Sequence, residues 1–156
     1  MENIYHQDES GFDEYFTRRY GYGLNSNKVN TQLSGRKYER QSCMSILNSN
    51  NLLVEPMIYQ DTANSNTVYA YFEVVLPKLR PNSAIIMDNA RFHKSKELQA
   101  LFQQYNCLLV FLPPYSPDLN PIENMWGTIK QYLRNYYDYT LGLYENLSLA
   151  VCNHCQ

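Results

Sequence analysis

Two short apolar segments, separated by one amphipathic segment, constrain the fold of this chain more than any other feature. Residues 84–88 (AIIMD) and 107–112 (CLLVFL) each have the length and apolar character of a single buried strand. Between them, residues 95–105 repeat apolar side chains at the spacing of one helix face, at Leu98, Leu101, Phe102 and Tyr105. A strand, a helix and a second strand within about 30 residues predict a βαβ unit. We therefore expect these two strands to be parallel and buried on both faces.

Weaker signals on either side of this unit complete a mixed pattern. Three earlier strands are predicted at residues 4–8, 43–47 and 52–59, and Asn48-Ser49-Asn50-Asn51 is a turn between the last two. Pro56 lacks a backbone donor, which places its strand at a sheet edge or a bulge. Further helices are predicted at residues 67–76, from Pro121 onward with Asn120 as the cap, and at 141–151. This order predicts an α/β fold in which helices flank one mixed sheet.

Size and composition are those of one folded domain. The chain has 156 residues, of which 44% are hydrophobic, so it can bury a substantial core. No apolar run approaches the ~20 residues that span a membrane. The opening sequence, MENIYHQDES, lacks the basic start and apolar stretch of a signal peptide. We therefore predict one soluble domain over residues 1–156, with a cytoplasmic location and no membrane partner.

Three acids stand at the ends of predicted elements. Asp8 closes the first strand, Asp88 closes its apolar strand, and Glu123 opens a helix after a run of prolines. Sites in open α/β sheets form beyond the carboxyl ends of the parallel strands. If the first strand lies beside the Asp88 strand, the three carboxylates converge, and their repulsion calls for cations such as Mg²⁺ or Mn²⁺. Each acid also has an ordinary structural explanation, as a turn residue, a strand cap or a helix N-terminal acid.

The charge distribution bears on a nucleic-acid partner. The net charge is −2, but residues 17–40 hold six basic side chains and one acidic one. Such a stretch either follows DNA phosphates or forms a solvated loop. We predict DNA contacts from four of its side chains, namely Arg18, Arg19, Arg36 and Lys37.

The helix from Pro121 carries two stripes. One is apolar and predicts the core face, at Ile122, Met125, Trp126, Ile129 and Leu133. Beside it, Glu123, Gly127, Lys130 and Arg134 follow one another at helical spacing. An acid, a residue without a side chain and two cations are typical of a phosphate track that leads to a metal site. The alternative is a solvated face.

Taken together, three motifs resemble the catalytic domain of a DDE transposase. They are DESGF at 8–12, DNARFH at 88–93 and LPPYSPDLNPIENMWGTIK at 112–130. The sequence is similar to the bacterial insertion-sequence branch of the Tc/mariner superfamily, including RRYGYG at 18–23 and the 34 residues between Asp88 and Glu123. The resemblance implies a ribonuclease-H-like fold in which Asp8, Asp88 and Glu123 are a catalytic triad that binds two Mg²⁺ or Mn²⁺ ions. Three further residues of these motifs are supporting candidates: Asn89, His93 and Asn120.

The resemblance also implies an activity and partners. Such domains cleave DNA and transfer strands between transposon ends and target DNA, which implies a homodimer or a larger assembly on DNA near the nucleoid. Superfamily members usually carry helix-turn-helix domains before the first Asp, whereas seven residues precede Asp8 here. We therefore expect an upstream helix-turn-helix half or subunit. The alternatives are an inactive or partial remnant that only binds DNA or other subunits, and a free-standing nuclease.

Overall fold

A computed structural model describes residues 3–13, 39–114 and 116–155. The strands found there are β1 (Ile4–Asp13), β2 (Arg40–Leu47), β3 (Leu53–Tyr59), β4 (Ala84–Met87) and β5 (Leu108–Phe111). The α-helices are α1 (Ser65–Val75), α2 (Lys96–Gln104), α3 (Ile122–Tyr136) and α4 (Leu143–Cys152). No helix in these ranges is both long enough and apolar enough to cross a membrane.

The strands form one mixed sheet in the order β3-β2-β1-β4-β5. β1 is central, antiparallel to β2 and parallel to β4, and β4 is parallel to β5. The predicted βαβ unit and the predicted position of the first strand beside the Asp88 strand are therefore confirmed. Helices α1 and α2 pack on one face of the sheet, and α3 and α4 pack on the other. The fold is the mixed sheet flanked by helices that the sequence predicts.

The structure bears differently on three of the strand predictions. β1 continues to Asp13 because its second half pairs with β2, so Asp8 lies within the strand rather than at its end. The prediction that β5 is buried on both faces is wrong, since β5 is an edge strand and Leu108 is 61% exposed. The prediction for Pro56 is confirmed: β3 is the other edge, and its pairing with β2 is interrupted by a bulge beside Pro56, where Glu55 has φ 49°.

The start of α3 differs from the prediction in one respect. Asn120 does not cap the helix with its side chain; its Nδ2 donates instead to the carbonyl oxygen of Gln7, at 3.3 Å. The backbone oxygen of Asn120 accepts from the amide of Glu123, so the first turn closes without a side-chain cap. The buried Asn120 amide thus joins the start of α3 to the central strand.

Candidate active site

The register of the two central strands brings the first two acids together. In the parallel ladder of β1 and β4, His6 pairs with Ile86. Asp8 lies two positions after His6, and Asp88 lies two positions after Ile86. Side chains two positions apart in a strand point to the same face, so both acids lie on one face of the sheet, opposite each other on neighbouring strands. Neighbouring strands lie about 4.8 Å apart, which sets the scale of the separation between the two backbones. The parallel pairing itself stops before the acids, which frees this end of the sheet for a cleft.

All three predicted acids line one cleft of about 480 Å³. The other lining residues come from the loops that follow β4 and β5: Asn89, Ala90, Leu112, Pro113, Pro114, Ser116 and Asn120. Asn89 and Asn120, two of the supporting candidates, therefore lie in the cleft wall. The proline-rich loop that follows β5 contributes Pro113 and Pro114 to the lining, and the proline rings restrict its backbone.

Asp8 is held by a residue of the helix that carries Glu123. Its Oδ2 accepts a hydrogen bond from Trp126 Nε1 at 3.1 Å. Burial, followed by the charges of Glu123 and Glu9, raises the pKa of Asp8 to about 7, against the opposing effect of hydrogen bonds from the Glu9 backbone and Trp126. The Asp8 carboxylate therefore lies in a setting where a neighbouring positive charge would be strongly favoured.

Asp88 is held by the loop that follows β4. His93 Nδ1 lies 2.7 Å from Asp88 Oδ1, and the same oxygen accepts from the Ala90 amide at 3.1 Å. The hydrogen bond from His93 lowers the pKa of Asp88, against the opposing effect of burial. Asp88 is therefore the readily ionised acid of the pair, and Asp8 is the one that resists ionisation.

Glu123 lies in the first turn of α3 and is exposed. Two connections fix this helix against β1, namely the Asn120 side chain on Gln7 O and the Trp126 indole on Asp8. Because both connections flank Glu123 in sequence, its backbone is held at a defined distance from Asp8.

The donors in the cleft suit a hard divalent cation. They are oxygen atoms of carboxylates and amides, which Mg²⁺ and Mn²⁺ prefer over the nitrogen and sulfur ligands of zinc. The carboxylate charges of Asp8 and Glu123 interact unfavourably, as the raised pKa of Asp8 records, and a cation would relieve this. Within the described residues, however, no three His, Cys, Asp or Glu side chains are grouped closely enough to hold an ion as they stand. The ligand roles of the triad stay a prediction.

Comparison with known families matches residues 3–140 to the DDE superfamily endonucleases. The chain belongs to this family. The match runs from the start of β1 to beyond α3, so it includes every residue of the cleft. The resemblance that the three motifs carry is thus confirmed at the level of the family.

Individual relatives place this DDE endonuclease beside transposases and integrases in fold. The uncharacterized protein y4pE/y4sA of Sinorhizobium fredii (strain NBRC 101917 / NGR234) is 42% identical over 45 residues, which are 29% of this chain and 31% of that protein. Mos1 transposase, in a paired-end complex with the left transposon end, is 15% identical with a TM-score of 0.65 over 89% of this chain and 45% of that chain. Each match covers less than half the length of the relative concerned.

A shorter structure matches over most of its length. The HTLV-2 integrase catalytic core domain, in complex with magnesium, is 16% identical with a TM-score of 0.62 over 96% of this chain and 83% of that chain. At such identities the structural matches show the fold alone. That fold is the ribonuclease-H-like fold predicted from the sequence, so the prediction is confirmed.

The basic candidates of the DDE endonuclease are only partly described. Arg18, Arg19, Arg36 and Lys37 lie outside the described residues. Lys130 is half-buried, with its Nζ 5.5 Å from the centre of the Phe12 ring on β1. Arg134 is exposed near the end of α3, where its Nη1 donates to Gln131 Oε1 at 3.3 Å. Their role on DNA stays a prediction.

Two features of the DDE endonuclease site are absent from the sequence predictions. The apolar stripe of α3 predicts Trp126 in the core, where it is buried, but its indole also donates to Asp8. Glu9 was not singled out, although it lies 3.8 Å from His93. The only available signal was its place beside Asp8 in DESGF, and strand alternation directs neighbours to opposite faces of a sheet.

Proposed function

We propose that this chain is the catalytic domain of a transposase, which cleaves DNA and transfers strands with two Mg²⁺ or Mn²⁺ ions held by Asp8, Asp88 and Glu123. One observation carries the proposal: the three acids, 80 and 35 positions apart along the sequence, line one cleft. Two such ions, when bound, activate an attacking oxygen and stabilise a leaving one in phosphoryl transfer. Family membership supports a nuclease, and the integrase core solved with magnesium supports the choice of ion.

The chain's own residues have distinct tasks in this proposal. His93 and the Ala90 amide hold one oxygen of Asp88, and Trp126 holds one oxygen of Asp8. Glu123, on the first turn of α3, supplies the third carboxylate of the cleft lining. Lys130, farther along the same helix, supplies positive charge for the phosphates of a bound DNA strand.

We propose that the partners are transposon ends and target DNA, bound by a dimer or a larger assembly. Support comes from Mos1, seen in a paired-end complex with a transposon end, and from the dimeric form of the integrase core. Recognition of specific ends is assigned to a helix-turn-helix half or subunit that acts together with this domain. Base-specific reading usually needs a helix set in the major groove.

The test of the proposal is a plasmid nicking and strand-transfer assay with Mg²⁺ or Mn²⁺. Asp88→Asn changes the charge and hardly the volume, so it should abolish both reactions while leaving the fold intact. Chelator should stop the wild type in the same way. The matched control is Asp61→Asn, at an exposed turn acid beside β3 that does not line the cleft, and it should be fully active. Undiminished activity of Asp88→Asn, or activity that persists in chelator, contradicts the proposal.

A further inference from the structure

His93 lies between the carboxylate of Asp88, which lines the cleft, and the carboxylate of Glu9, which is not among the lining residues. Its Nδ1 is 2.7 Å from Asp88 Oδ1, and its Nε2 is 3.8 Å from Glu9 Oε2. The side chain of His93 is 1% exposed and that of Glu9 is 21% exposed, whereas that of Asp88 is 51% exposed. The ring therefore connects a solvent-facing acid to a mostly buried one.

Glu9 is anchored from its own strand as well. Its Oε2 accepts from Gln7 Nε2 at 3.3 Å, and Gln7 is completely buried. Gln7 and Glu9 are two positions apart on the central strand, so they share one sheet face, opposite the face of Asp8. A buried carboxylate costs free energy unless polar partners compensate it. Among the described residues, its polar partners include the Gln7 side-chain amide and the His93 ring, which also holds Asp88.

We propose that Glu9 is a positioning residue, which fixes the His93 ring so that Nδ1 keeps its hydrogen bond to Asp88. The inference rests on the proposed function only in taking Asp88 as a metal ligand. Among the described residues, the hydrogen bonds to the Asp88 carboxylate go to Oδ1, which leaves Oδ2 for a cation. Without Glu9, the ring can rotate, the Asp88 carboxylate can turn with it, and the cation loses a preset ligand.

The test measures Mn²⁺ binding to the metal-free 156-residue chain by calorimetry, without DNA or catalysis. Residues that orient a ligand typically change metal affinity by about 10–100-fold. Glu9→Leu, which removes the carboxylate that faces His93 Nε2, should therefore weaken Mn²⁺ binding by about tenfold. Glu9→Gln, which removes the charge but keeps a polar oxygen and the side-chain volume beside the ring, should weaken it less. The matched control is Glu39→Gln, because Glu39 accepts from Gln41 Nε2 at 2.8 Å in the same two-residue spacing, outside the cleft.

A double-mutant cycle identifies the route of the effect. If Glu9 acts through His93, Glu9→Leu should have no further effect on Mn²⁺ affinity in a His93→Asn background. An equal loss in both backgrounds overturns the route through His93. Unchanged Mn²⁺ affinity in folded Glu9→Leu overturns the inference. If Glu9→Leu does not fold, the comparison of Glu9→Gln with Glu39→Gln decides in its place.

A second readout does not depend on metal. In wild type and in Glu39→Gln, the ring proton on His93 Nδ1 should exchange slowly with solvent in NMR spectra of histidine-labelled chain. In Glu9→Leu it should exchange fast, and slow exchange there overturns the positioning role of Glu9. Loss of Mn²⁺ binding in Asp88→Asn, with binding kept in Glu9→Leu, contradicts only this inference. A wild type that binds no Mn²⁺ contradicts the proposed function and the metal-positioning role with it.

Discussion

A carboxyl group with a pKa near 7 makes the stability of a protein depend on pH around neutrality. Burial, with Glu123 and Glu9 nearby, raises the pKa of Asp8 from 3.8 to about 7. The folded chain therefore holds this proton more tightly than the unfolded chain. The resulting stabilisation is complete below about pH 4 and is lost as the pH rises through 7. In the absence of metal, Asp8 should weaken the fold on the alkaline side.

Asp8→Asn tests the direction of this pH dependence of stability. The amide removes the charge and keeps an oxygen that can accept from Trp126 Nε1. At pH 8 without metal, the variant should have a larger free energy of unfolding than the wild type, by up to about 4 kcal/mol, since one pKa unit is about 1.4 kcal/mol. At pH 4 the difference should nearly vanish. Urea denaturation in chelator at the two pH values measures both quantities, and a variant less stable than the wild type at pH 8 would contradict the assignment.

The acids of the cleft are predictable because each stands in a recognisable motif, and Asp88 also directly follows an apolar strand. Glu9 is not, because its environment depends on where β4 delivers His93, more than 80 residues later. For the same reason, the sequence does not reveal the hydrogen-bond partner of the Asn120 side chain. Asn directly before Pro121 is typical of a helix cap, but the amide bonds to Gln7 of a distant strand instead. Contacts across the sheet decide these roles, and local sequence does not report them.

Helices and strands follow local sequence more closely. The apolar stripe of α3 is buried as predicted at Ile122, Trp126, Ile129 and Leu133, because a period of 3.6 determines one face. Strand lengths and burial were less accurate. β1 gains its second half from pairing with β2, and β5 loses burial because no strand follows it in the sheet. Neither the pairing of β1 with β2 nor the edge position of β5 can be deduced from the sequence of the strand alone.

The second stripe of α3 yields a prediction about DNA. If Lys130 and Arg134 contact phosphates, the double change to Ala should weaken binding equally for all DNA sequences. The slope of log affinity against log salt concentration should fall by about one per lost contact. Fluorescence anisotropy over a salt series measures this slope.

The control for that experiment removes the same two residue types at the opposite end of the sheet. Lys78 and Arg80 are exposed in the segment that leads into β4, away from the cleft. Their double change to Ala should leave the slope nearly unchanged. Equal slopes for the α3 variant and the wild type would assign Lys130 and Arg134 to an ordinary solvated face.

At the scale of the whole molecule, the chain belongs to the DDE endonucleases and covers less than half the length of Mos1 transposase. Its four described α-helices all pack on the sheet, and its predicted DNA contacts are to phosphates, which carry no base sequence. We predict that the 156-residue chain binds DNA weakly, with strong salt dependence and little preference for its own terminal repeats.

A competition assay with terminal-repeat DNA against scrambled DNA of equal length, at fixed salt, tests this specificity. Addition of the helix-turn-helix half or subunit should create the preference. A preference of roughly a thousandfold or more by this chain alone, the scale of specific binding, would refute the prediction.

The order of strands in the sheet also determines when the cleft can exist. β1 pairs with β2 early along the chain, but its parallel neighbour β4 begins at residue 84 and Glu123 comes later still. Pairings between distant segments also form slowly, because a long loop must be closed first. On a ribosome, the chain would emerge with Asp8 long before its partners. The proposed DNA cleavage is thereby confined to the completed domain, and a nascent or interrupted chain carries only separated acids.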